Sequence, residues 1–247
     1  MNLIHGDCIE VLKNIESNSI DLILTDIPYG VTNCKWDVVI PFAPMWLEIE
    51  RVRKKQCAVL LFGSEPFSSF LRCSNIRNFR YDWIYEKSHS TGHLNANRRP
   101  LSAHEIISVF YKSGYFPQKT QGHYLKKAIT DRSKSQSLLY GKQQSITYYS
   151  SSERYPRSVI KFKTDKQKNN YHPMQKPVAL LEYMIKTYSK EGDTVLDFTM
   201  GSGSTGVACI NLGREFFGIE KDTEYFFIAK NRLEQAIGEK KIYVIDS

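Results

Sequence analysis

The chain has 247 residues and a mass of 28.6 kDa, the size of one generous domain or of one domain carrying an insertion. Hydrophobic residues make up 41% and charged residues 24%, which suits a packed core and argues against global disorder. No apolar run approaches the roughly 20 residues of a membrane span, the start shows no signal-peptide pattern, and the cysteines at 8, 34, 57, 73 and 209 have no metal-ligand spacing. A reduced, cytoplasmic protein without membrane or metal is expected.

Leu3–His5 is a short apolar run that stops at Gly6-Asp7, followed by a helical pattern with Ile9, Leu12 and Ile15 on one face. Asp21–Thr25 reads as a buried strand ending at Asp26-Ile27-Pro28-Tyr29-Gly30, where proline and glycine force a loop. A helix over 42–52, a strand over 58–62 and a helix after Pro66 continue the alternation, and strand-like runs follow at 81–85 and 106–111. From about Ser88 to Pro156 periodicity fades apart from that last run, so the segment reads as an insertion. Beyond His172-Pro173-Met174-Gln175-Lys176-Pro177, a helix carries Leu180, Leu181, Met184, Ile185 and Tyr188 on one face and ends at Gly192. A strand over 194–198, a turn over 201–206, a helix over 207–212, a strand over 216–219 and a helix over 222–237 complete the chain. Alternation at both ends implies one mostly parallel α/β sheet assembled from both. The expected organisation is 1–87, an insertion over 88–156, and 157–247.

The formal net charge is +8, and it is unevenly spread. Residues 87–170 hold 16 Lys and Arg against 4 Asp and Glu, while the flanks together are mildly acidic. Eight aromatic residues between 111 and 155, beginning at Tyr111 and ending at Tyr155, accompany these cations. Cations beside aromatic faces suit phosphates and bases, so the insertion reads as a nucleic-acid-binding segment. The competing reading is a solvated basic surface with no partner.

Asp197-Phe198-Thr199-Met200-Gly201-Ser202-Gly203-Ser204-Thr205-Gly206 contains a formal GxGxxG at Gly201, Gly203 and Gly206. Glycines there permit a tight turn and close approach of a ligand to a helix N-terminus. Glu220, 23 residues after Asp197 and at the end of the next strand, can take both hydroxyls of a ribose, or else cap the last helix. A dinucleotide would set its pyrophosphate against this turn. Asp197, four residues before the first glycine, opposes that and suits the cationic amino-acid end of S-adenosylmethionine.

Asp26-Ile27-Pro28-Tyr29 joins a carboxylate, a rigid kink and an aromatic face. An exocyclic amine has its lone pair delocalised into the ring. Hydrogen bonds from its N–H groups to Asp26 and to a backbone carbonyl near Ile27 would free that pair, with Tyr29 stacking on the base. A sulfonium donor is already activated, so positioning and electrostatics suffice. A plain proline-shaped turn is the alternative for this tetrapeptide taken alone.

In this order the motifs resemble the DNA amino-methyltransferases of the β-group, with the target-amine motif Asp26–Tyr29 early and the cofactor motif 197–206 near the C-terminus. Resemblance implies a Rossmann-like S-adenosylmethionine-dependent methyltransferase fold, a mostly parallel sheet with helices on both faces, plus a target-recognition region at 88–156. It implies that Asp7 and Cys8 hold the adenine ring of the cofactor, Asp7 accepting from its amino group. His172, Gln175 and Lys176 would bind the methionine end, and Asp197, Phe198, Gly201, Gly203, Ser204 and Glu220 would complete the cofactor site. Ile27 stands where proline is commoner, but Pro28 is kept. The leading Asp26 resembles adenine-N6 members more than cytosine-N4 members. Double-stranded DNA, gripped by Arg98, Arg99, Lys126 and Lys127 with the target base flipped out, is the expected partner. A homodimer and a cognate restriction endonuclease are further possibilities of such a chain. Cytosine-N4 methylation, RNA methylation and a catalytically silent DNA-binding protein stand as alternatives.

Overall fold

The computed structural model describes residues 1–30, 37–131, 136–137, 141–142, 146–165, 175–238 and 243–246. Its elements begin with β1 (Asn2–His5), α1 (Cys8–Leu12), β2 (Ile20–Thr25), α2 (Phe42–Val52), β3 (Arg53–Gly63), α3 (Phe67–Ser74), β4 (Phe79–Thr91) and β5 (Ser102–Phe110). Then come β6 (Lys126–Asp131), β7 (Gln136–Ser137), β8 (Gly141–Lys142), β9 (Ile146–Ser151), β10 (Val159–Phe162), α4 (Val178–Tyr188), β11 (Thr194–Asp197), α5 (Ser204–Asn211), β12 (Glu215–Glu220), α6 (Thr223–Ile237) and β13 (Tyr243–Asp246). Two compact units result, one built from Met1–Phe116 with Ser158–Ser247 and the other from Pro117–Arg157.

In the larger unit the described strands form one sheet in the order β10-β4-β5-β3-β2-β11-β12-β1-β13. All neighbours run parallel except β5, which is antiparallel to both β3 and β4. The central strands read as continuous apolar runs because both faces are covered: Leu22, Ile23, Leu24, Val59, Leu60 and Leu61 are all fully buried. From β1 the chain steps in one direction along the sheet through β2 and β3, and from β11 it steps in the other through β12. Right-handed crossovers therefore place α1–α3 on one face and α4–α6 on the opposite one. Helix packing agrees, with α2 touching α1 and α3, and α5 touching α4 and α6. The direction reverses between β2 and β11. In an open α/β sheet the crevice at such a reversal, outside the carboxyl ends of the strands, is where ligands bind.

Four expectations need adjustment. The insertion expected over 88–156 divides, because β4 extends to Thr91 and β5 is a full sheet strand, so only 117–157 stand apart. α1 closes at Leu12; Ile15 is still buried, but through a turn in which its N–H reaches Leu12 O. α5 begins at Ser204, which puts Gly206 inside a helix instead of in the turn. The edge strands β10 and β13 lie outside every element expected from the sequence. The smaller unit contains the antiparallel ribbon β6–β9, in which Ile129 faces Tyr148, and the short pair β7–β8. Among the described residues no helix is long and apolar enough to cross a membrane.

Candidate active site

The ends of β2 and β11 are joined by hydroxyl groups. Thr25 donates to Asp197 Oδ1 at 2.6 Å and lies 2.7 Å from the Thr199 hydroxyl, which in turn donates to the Asp26 carbonyl at 3.1 Å. Asp197 Oδ1 also accepts from the Thr199 N–H, and Oδ2 accepts from Thr205 Oγ1 at 2.6 Å. Asp197 thus ties the strand end, the turn and the first turn of α5 together, leaving one lone pair on Oδ2. Burial pushes its pKa up to about 6 against these donors.

The turn itself holds Gly201 at φ +52° and Gly203 at φ +77°, a region that favours glycine. Gly206 has a different reason: a Cβ there would lie 2.7 Å from Leu233 and 2.9 Å from Phe216, so the glycine lets α5 close on α6 and β12. Ser204 opens α5 with its hydroxyl accepting from Arg232 at 2.9 Å, and Phe198 is buried. Glu220 receives the Gly201 N–H on Oε2 and the Asp222 N–H on Oε1, each at 2.8 Å. Capping of α6 falls to Asp222, whose carboxylate accepts from the N–H groups of Glu224 and Tyr225. Asp7 accepts from Ile9 N–H at the start of α1 and pairs with Lys221 at 3.1 Å. Burial would raise its pKa, but Lys221 and the backbone donors outweigh that and hold it low. Cys8 is buried, its thiol pushed up to about 12 by burial and by Asp7.

Across the crevice, Asp26 follows β2 directly and keeps 23% of its side chain exposed. Oδ1 accepts from the Tyr29 hydroxyl and Oδ2 sits 2.6 Å from Lys176 Nζ. Lys176 also lies 2.9 Å from Glu105 Oε2 and 5.1 Å from the centre of the Phe62 ring. Burial disfavours the ammonium, yet the two carboxylates win and raise its pKa; for Asp26, burial raises the pKa and Lys176 opposes it. The Tyr29 ring packs at 5.1 Å from Phe67, and Ile27 is buried. Gly30 (φ +68°) donates its N–H to Asp37, fixing the loop's exit.

One cavity of about 630 Å³ is lined by Asp7, Cys8, Asp26–Tyr29, Gln175, Lys176, residues 197–202, Ser204, Thr205 and Glu220, with Gly203 just outside the lining. Gln175 lines this cavity, is 9% exposed, and its Oε1 has no hydrogen-bond partner among the described residues. His172 lies outside the described residues. Arg98 and Arg99 are exposed in the larger unit, between β4 and β5, whereas Lys126 and Lys127 are exposed on β6 of the smaller one.

A family model described as DNA methylase matches residues 20–231. The chain belongs to this DNA methylase family. Among curated relatives, the type II methyltransferase M.HpaI of Haemophilus parainfluenzae is 31% identical over 244 residues, covering 94% of this chain and 74% of that protein. The DNA adenine methyltransferase YhdJ of Escherichia coli K12 is 31% identical over 256 residues, covering 95% and 83%. Among solved structures, an M1.HpyAVI–SAM complex superposes with a TM-score of 0.62 at 26% identity, covering 94% of this chain and all of that one.

Sequence reading of this DNA methylase missed Thr25, Thr199, Thr205, Phe62 and Glu105. Thr25 directly precedes the amine motif, and Thr199 and Thr205 lie inside the glycine motif, so position alone singles them out. Glu105 gives no local signal, since it sits in an unmarked strand and meets the site only through the fold.

Proposed function

We propose that this DNA methylase transfers a methyl group from S-adenosylmethionine to adenine N6 in duplex DNA. The observation that carries this is one cavity uniting the Asp26–Tyr29 loop with the glycine turn and Glu220. Its volume is within the range of cofactor pockets. Gln175 Oε1, without a partner among the described residues, and the left-handed glycines fit an amino-acid end and a nucleoside.

In this reading Glu220 holds the ribose, Asp7 and Cys8 border the adenine ring, and His172, Gln175 and Lys176 serve the methionine end. Asp197, Phe198, Gly201, Gly203 and Ser204 shape the turn beneath it. When bound, the cofactor supplies an electrophilic methyl on a sulfonium. Asp26 accepts one amine N–H and a carbonyl near Ile27 the other, drawing the nitrogen toward tetrahedral geometry and localising its lone pair. Pro28 fixes the loop and the Tyr29 ring provides a face for the flipped base. Arg98, Arg99, Lys126 and Lys127 contact phosphates, whose neutralisation offsets the cost of unstacking.

Adenine is favoured over cytosine N4 by the leading Asp26 and by the relative named as an adenine methyltransferase. Pairing with a cognate restriction endonuclease, self-association as a homodimer and a cytoplasmic location belong to the same proposal. Incubating the protein with plasmid and labelled cofactor, followed by nucleoside mass analysis, tests it. N6-methyladenine is expected; N4-methylcytosine replaces the substrate, and transfer to RNA alone or no transfer overturns the reading.

A further inference from the structure

Three elements distant in sequence deliver two carboxylates and one ammonium to the same spot. Asp26 comes from the end of β2, Lys176 from the segment before α4, and Glu105 from β5. Lys176 Nζ is 2.6 Å from Asp26 Oδ2 and 2.9 Å from Glu105 Oε2, and the Lys176 and Glu105 side chains are only 7% and 15% exposed. Lys176 and Asp26 alone would make a neutral pair. Glu105 adds a second buried carboxylate that the amine chemistry above does not use; its Oε2 faces Lys176, and its Oε1 lies 3.7 Å from Lys87 Nζ.

We propose that Glu105 is a positioning residue acting through Lys176: it anchors the ammonium against Asp26 Oδ2 and so sets the orientation of the carboxylate that receives the amine. Resting on the reading of Asp26 as the amine acceptor, this gives Lys176, besides its place at the methionine end, a second role on the substrate side of the cavity. A carboxylate has about four lone-pair sites. Lys176 takes one on Oδ2 and Tyr29 one on Oδ1, so a clamped Asp26 keeps one free site on each oxygen. Without Glu105, Lys176 is held at one end only, and the carboxylate can rotate with it.

The charged and titratable groups around Asp26 are Lys176, Glu105, Tyr29 and Asp197, with Tyr85 and Lys87, 3.7 Å from Glu105 Oε1, beyond Glu105. Lys176 favours ionised Asp26 and Glu105 opposes it. Removing each charge must therefore move Asp26 in opposite directions, which loss of a merely structural contact does not do.

The test is the pH profile of kcat/KM for methyl transfer to plasmid, beside a carbon-13 NMR titration of the Asp26 carboxyl. In Glu105→Gln the acid limb and the resonance should move down by at least about half a pH unit, with kcat falling about tenfold as the clamp loosens. In Lys176→Met both should move up by a similar amount, and Glu105→Asp, which keeps the charge, should leave the limb in place. Thermal melting identifies which variants fold, and either of the first two decides the matter. An unmoved limb and resonance in a folded variant overturns the proposal. If the wild type transfers no methyl group, the reading of function fails instead, and the Asp26 resonance alone still judges the clamp.

Discussion

The Thr25 hydroxyl donates to the Asp197 carboxylate across 2.6 Å, joining two adjacent strand ends that are 172 residues apart in the chain. This bond lies where the sheet reverses direction and fixes the floor shared by the amine loop and the glycine turn. Thr25→Val keeps the shape but removes the donor. It should destabilise the fold by about 1–3 kcal/mol, the cost of a buried acceptor losing a partner, as read by urea denaturation.

Asp197 makes stability depend on pH. Its pKa is raised from 3.8 unfolded to about 6 folded, so the native state holds its proton longer. The contribution is complete below pH 4 and is lost as pH rises through about 6. Against Asp197→Asn, which does not titrate, the wild type should lose up to about 3 kcal/mol between those limits and stay level above them. Denaturation of both proteins at half-unit steps checks this; a difference that grows with pH would reverse the sign.

Asp26→Ala should cut methyl transfer by about 10²–10³-fold or more, the loss expected for a group acting on developing charge. Cofactor affinity should remain within about threefold, because Asp26 stands on the amine side of the cavity. Single-turnover transfer and calorimetric titration separate the two effects.

Gly206→Ala places a methyl 2.7 Å from Leu233 and 2.9 Å from Phe216 in a filled core. A loss of about 1–3 kcal/mol is expected from overpacking. Adding Leu233→Ala opens the space, so the double variant should be less destabilised than the two single losses together. Thermal melts of the three variants test the coupling.

Binding to duplex DNA should weaken at least about tenfold between 50 and 200 mM salt, given the 16 basic residues against 4 acidic ones over 87–170. Replacing Lys126 or Lys127 by Ala should lower the salt slope by about one. Fluorescence anisotropy at several salt concentrations measures both.

Much of this molecule is legible in its sequence because its signals are local. Strand β2 is an apolar run stopped by Asp-Ile-Pro-Tyr, and β11 is stopped by a glycine turn, so both rims of the cavity announce themselves. What escapes is whatever depends on packing between distant segments. Gly206 looks like a turn residue until Leu233 and Phe216 are seen against it. Lys176 belongs to a motif associated with the cofactor, yet its ammonium rests on Asp26, because β5 brings Glu105 alongside. The separate unit begins at Pro117 and not near Ser88 because β5 pairs with strands on either side, a relation no periodicity encodes.

The chain leaves the sheet after β5 and rejoins it at β10, and the 117–157 unit lies wholly within that excursion. No strand of the nine-membered sheet is drawn from it. Evolution can consequently exchange or rewrite this cassette while the sheet that carries the cavity is inherited unchanged.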